Sequence, residues 1–65
     1  MEHIDRMSHY RNIWFALRAP PEAHAEIATR AMASMRLILV EVVGEVEQRQ
    51  LIAKWNEELN DQYGA

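Results

Sequence analysis

Cysteine is absent, so neither a disulfide nor a thiolate metal site can brace this chain. At 65 residues that absence matters, because a domain of this size buries only about 60% of its unfolded surface and folds alone with little margin. An oligomeric interface is the brace left to it. The lack of cysteine also suits a reducing compartment. Glycine occurs only at Gly44 and Gly64, too few for a GxGxxG turn, a Walker A loop or a nucleophile elbow. The longest wholly apolar run, Leu37 to Val40, is far shorter than the roughly 20 residues that cross a bilayer. The segment Met1-Glu2-His3-Ile4-Asp5-Arg6 has neither a basic region nor an apolar one of the kind a signal peptide carries. Cytoplasm is the expected location, with no membrane partner.

An excess of positive charge is missing too. The net charge is −3, which gives no bulk attraction to nucleic acid or to anionic lipid. The charge is unevenly spread. Residues 1–36 carry five arginines against four acids, a balance of +1, and residues 37–65 carry two basic residues against six acids, a balance of −4.

What is present is a helical pattern. Proline is confined to Pro20-Pro21, which closes a first helix near Arg18 and opens a second near Pro21. In the first, Met7, Tyr10, Trp14 and Leu17 recur at spacings of 3, 4 and 3, one face of a helix. In the second, Ala28, Ala31, Met32, Met35, Leu39, Val42 and Val46 form a dense stripe. Ala33, Leu37, Val40 and Gly44 form another, nearly opposite. After the polar stretch Glu47-Gln48-Arg49-Gln50 the apolar residues resume at Leu51, Ile52, Trp55 and Leu59, in line with the second stripe. The pattern predicts an all-α single domain over residues 1–65. A short helix of about 2–18 folds back on a long helix of about 21–62, with Gly44 as a place for a kink. A single Gly costs a helix only about 1 kcal/mol, so a change of neighbours near Gly44 is favoured over a break. A strand hairpin turning at Val43-Gly44 is disfavoured, because Val resists the positive φ such a turn needs.

A helix of about 60 Å, apolar on two faces, is more than a short first helix can cover. Folded back at Pro20-Pro21, that helix reaches only to about Leu37 or Ile38, leaving Leu51, Trp55 and Leu59 uncovered. The expected assembly is therefore an antiparallel homodimeric helical bundle. Its interface is assigned to Ala28, Ala31, Met35, Leu39, Val42, Val46, Leu51, Trp55 and Leu59.

Residues with the chemistry of a site are few. His3 and His9 are six apart, not the i, i+4 or i, i+3 spacing of a helical zinc site. Asp5 and His9 have that spacing but read as a solvated ion pair. No Glu has a His three residues later, as di-iron bundles require. Glu41, Glu45, Gln48 and Arg49 read as a solvated helix face, with Glu45 and Arg49 paired. Ser8 and Ser34 lack the surroundings of an activated nucleophile. No catalytic residue, cofactor or metal is expected. Arg11 and Arg18 share a helix face with Phe15 between them, and aromatics with Arg are enriched where proteins dock. Arg11, Phe15 and Arg18 are thus the expected partner-binding residues. The expected function is that of a small non-enzymatic regulatory or adaptor protein. It acts as a homodimer by binding another protein, inhibition of that partner being one form. The alternative is a nucleic-acid-binding dimer using the arginine face; a small helical enzyme ranks third.

Overall fold

The structure is a computed structural model and describes residues 5–63. Three α-helices account for nearly all of these residues: α1 over Arg6–Arg18, α2 over Ala25–Val43 and α3 over Glu45–Tyr63. A 3-10 turn at Glu22–His24 precedes α2. No strand occurs among the described residues, and Leu37 to Val43, the segment most open to a strand reading, lies within α2.

Helix α1 starts at Arg6, later than the expected residue 2, and residues 1–4 lie outside the described part of the chain. Asp5 is the reason for the start. Its carboxylate accepts the backbone N–H of Met7 (3.1 Å) and Ser8 (3.2 Å), and the Ser8 hydroxyl donates to its second oxygen at 2.7 Å. Two of the first-turn donors that no helix can satisfy internally are met this way. The Asp5–His9 side-chain pairing suggested by the sequence is displaced by this cap; His9 instead donates its backbone N–H to the Asp5 carbonyl at 3.1 Å.

The cap makes the start of α1 sensitive to pH. The Ser8 hydroxyl first, then the Ser8 and Met7 amides and the Arg11 charge, hold the Asp5 carboxyl below its usual range against a small opposing effect of burial. A carboxyl with a folded pKa below the unfolded one stabilises the fold above the unfolded pKa, and that contribution is lost as pH falls through the folded value. Acidification below the ordinary Asp pKa of about 3.9, toward the lower folded value, is therefore expected to fray the first turn. Protection of the Met7 and Ser8 amides, measured as hydrogen exchange relative to the intrinsic rate at each pH, should fall over that range in the native chain but not in Asp5→Asn. Unchanged protection down to pH 2 would show that the cap contributes nothing.

Pro20 and Pro21 divide α1 from α2 as expected. Pro21 caps the 3-10 turn at φ −55° and ψ 146°, and α2 continues from it without a gap.

The second expected helix, about 21–62, is two helices. Gly44 has φ 92° and ψ 164°, a region essentially closed to residues with a Cβ. The helical hydrogen bonds run up to it from both sides: its N–H donates to Val40 at 2.8 Å, and its carbonyl accepts from Gln48 at 3.0 Å. One residue's dihedrals therefore turn the chain, and α3 folds back beside α1 and α2. This corrects the expectation that the chain would only change neighbours there. Gly44 costs a helix little, but it alone makes this sharp turn accessible. Glu45 and Glu47 stand in the first turn of α3, where the positive end of a helix favours acids.

The fold-back also corrects the estimate of reach. Trp14, Met35, Leu39 and Trp55 form one buried cluster, with Met7, Tyr10, Phe15, Leu17, Met32, Leu51 and Ile52 packed around it. All three helices contribute. Gln48, expected in a solvated face, is buried instead. Once α3 turns back, Gln48 shares the inward face of Leu51, Ile52, Trp55 and Leu59. Trp14 is the centre of this core, with no exposed surface. Its indole N–H donates to Asn56 Oδ1 at 2.9 Å, and the Arg36 guanidinium lies 5.1 Å above its ring.

Candidate protein-binding surface

The expected partner-binding residues come together only in part. Arg11 lies 5.7 Å from the centre of the Phe15 ring and 3.8 Å from the Glu58 carboxylate on α3. Its Nε is enclosed without a hydrogen-bond partner. Phe15 is half-buried against the core. Arg18, in the last turn of α1, is exposed and is the freest of the three. Arg11 thus ties α1 to α3, and Phe15 is partly taken up by the core. A small mixed-charge crevice of about 160 Å³ beside them is lined by Asp5, Arg11, Lys54 and Glu58 among others.

The expected interface residues divide along the same lines. Ala28, Met35, Leu39, Trp55 and Leu59 are already buried within one chain. Ala31 and Leu51 are half-buried. Val42 and Val46 are exposed, at 44% and 67%.

The sequence pattern does not single out the feature that the structure makes plain. Ile13, Ile27 and Ile38 are also exposed, at 40%, 67% and 50%. Together with Val42 they lie along one side of the α1–α2 pair. On α2, Ile27, Ala31, Ser34, Ile38 and Val42 follow spacings of 4, 3, 4 and 4, which places them within a sector of about 80°. That stripe runs next to the core-facing residues Ala28, Met35 and Leu39, so from the sequence the two merge into one broad apolar face. On α1, Tyr10, Ile13 and Leu17 form the opposite bank. Two hollows lie between. One of about 410 Å³ is lined by Tyr10, Ile13, Leu17, Ala31, Ser34, Met35 and Ile38. The other, of about 380 Å³, is lined by Ala16, Leu17, Pro20, Pro21, His24, Ile27 and Ala28. Leu17 belongs to both. Their walls are nearly all apolar. Leu37, at 70% exposure, stands on another side of α2, and nothing in the structure accounts for it.

The chain matches no protein-family model, no curated protein and no solved structure. The surface must therefore be read from its own chemistry. Among the described residues no helix is long and apolar enough to cross a membrane, and no three His, Asp or Glu side chains are grouped as metal ligands. His9 and His24 are exposed. The predicted Glu45–Arg49 pair forms at 3.1 Å on the surface of α3, alongside a similar Glu26–Arg30 pair at 3.3 Å on α2. Pairs this exposed contribute a few tenths of a kcal/mol at most.

Proposed function

We propose that this protein is a small regulatory or adaptor module that acts by binding protein, as a homodimer, and performs no chemistry of its own. The observation that carries the reading is the exposed apolar face of α1 and α2. Single exposed apolar side chains are ordinary on any protein. Ile13, Ile27 and Ile38 line two apolar hollows and Val42 extends their stripe along α2, a grouping of the kind that marks an association site. Arg18 with the edge of Phe15 offers a second, smaller contact for another protein. A reducing cytoplasm is the proposed location. The nucleic-acid reading is weaker, because Arg11 is engaged by Glu58 and Phe15 and the net charge is negative.

Sedimentation equilibrium at micromolar concentration tests the homodimer. The native chain is expected at twice its 7.6 kDa mass. Ile38→Glu is expected to keep its helical circular dichroism and sediment as a single chain, since an unpaired charge in a covered apolar seam costs several kcal/mol of association. A native chain that sediments as a monomer throughout would overturn the homodimer.

A further inference from the structure

We infer that a second copy of this chain occupies the α1–α2 face, with its α2 packed antiparallel on the first α2 about a twofold axis between Ser34 and Met35. The inference rests on the homodimer reading above and specifies its geometry.

The register of the stripe is the first argument. Measured from a point midway between Ser34 and Met35, Ile27 and Val42 are equally distant along α2, and so are Ala31 and Ile38. An antiparallel copy centred there sets Ile27 against the partner's Val42 and Ala31 against the partner's Ile38. An isologous interface needs this self-complementarity. Large residues meet small ones at the centre. Ala31 and Ser34 both line the 410 Å³ hollow, so the partner's Ile38 enters where the wall is lowest.

Charge supplies the second argument. Arg30 and Glu41 lie on the same edge of the stripe, within about 20° of each other around the helix, on opposite sides of the axis. A twofold axis perpendicular to both helices keeps that edge on the same side in each copy. Arg30 then faces a position two residues from the partner's Glu41, an offset of about 3 Å along the helix, within reach of both side chains. The contact forms twice. Arg30 already bonds Glu26 on its own helix, with both side chains more than 80% exposed, so it can add Glu41 without leaving a buried partner. A parallel arrangement would instead place Arg30 beside Arg30 and Glu41 beside Glu41.

Cysteine cross-linking tests the geometry directly, because the native chain has no cysteine. With interaxial spacing of 8–10 Å, the two copies of residue 34 have Cα atoms roughly 5–6 Å apart, the separation a disulfide requires. Ser34→Cys is expected to oxidise to a covalent dimer in near-quantitative yield, while Ala53→Cys, on the exposed side of α3, is expected to stay reduced or cross-link slowly. Arg30→Glu alone and Glu41→Arg alone are each expected to weaken dimerisation about tenfold, and the double variant to restore it. A dimer by mass whose Ser34→Cys form does not cross-link, or whose charge reversals do not compensate, overturns this arrangement and leaves the homodimer standing. A monomer by mass overturns both.

Discussion

Replacing Trp14 with alanine is expected to leave most of the chain unfolded at 25 °C. Trp14 is fully enclosed and touches all three helices' share of the core. A buried Trp→Ala change costs about 3–5 kcal/mol in lost transfer free energy and residual cavity. A core in a chain this short rarely supplies more than about 3–5 kcal/mol in total. The loss also leaves Asn56 Oδ1 without the indole N–H it accepts at 2.9 Å, and Arg36 without the ring beneath it. Urea titration by circular dichroism, at a fixed chain concentration, measures the effect. Trp14→Phe separates the contributions, since it keeps most of the apolar volume but not the N–H, and its loss is expected to be about 1–3 kcal/mol. A Trp14→Ala chain with a native-like urea midpoint would place the stability of this protein somewhere other than this core.

Gly44→Ala is expected to change which chain α3 packs on. The φ of 92° and ψ of 164° at Gly44 cost an L-residue about 1–3 kcal/mol, and the strain is purely in the backbone because a Cβ there meets nothing within 4 Å. The same substitution favours a continuous helix by about 1 kcal/mol. Both effects push toward joining α2 and α3 into one rod of about 60 Å. In a rod, Trp55 and Leu59 can no longer reach α1 of their own chain, and they find the equivalent surface on a second chain. The expected product is a dimer with α3 exchanged and helix content unchanged or slightly higher. Nuclear Overhauser effects between Trp14 and Trp55 in a mixed-label sample distinguish the cases: within one chain for the native protein, between chains for Gly44→Ala. D-alanine at position 44, introduced by synthesis, accepts the native dihedrals and is expected to hold the native turn. If Gly44→Ala keeps the Trp14–Trp55 contact within one chain, the turn is set by packing and the dihedral preference is secondary.

Much of the architecture is legible from spacing alone. Met7, Tyr10, Trp14 and Leu17 at helical intervals predict the inward face of α1, and Pro20-Pro21 predicts the division after Arg18. Helix type follows from such local features because each turn's hydrogen bonds and burial depend on residues three and four apart. The turn at Gly44 had a signal as well. A glycine followed by Glu45 and Glu47 has the composition of a helix start, and the polar run through Gln50 fits the first turns of a new helix. That signal competes with an unbroken helical periodicity on both sides, and a glycine's small helix penalty gives no means of choosing between a rod and a turn.

The candidate binding surface was less legible, for a related reason. Ala28, Met35 and Leu39 lie on average about 75° around α2 from Ile27, Ile38 and Val42, and hydropathy alone assigns both groups to one broad apolar face. Only the position of α1 and α3 divides it. Phe15 shows the same limit from the other direction: it stands off the main stripe of α1 and yet packs at the edge of the core, because α3 comes close on that side.

Local periodicity and proline are enough to make this chain helical, to end its first helix near Arg18, and to turn one face of that helix inward. The packing of the three helices adds that Gly44 turns the chain, that Trp55 joins Trp14 in one core within a single chain, and that Ile27, Ile38 and Val42 are left uncovered. Those outcomes depend on which surfaces meet across dozens of residues, and one glycine with two allowed conformations leaves that choice to the packing.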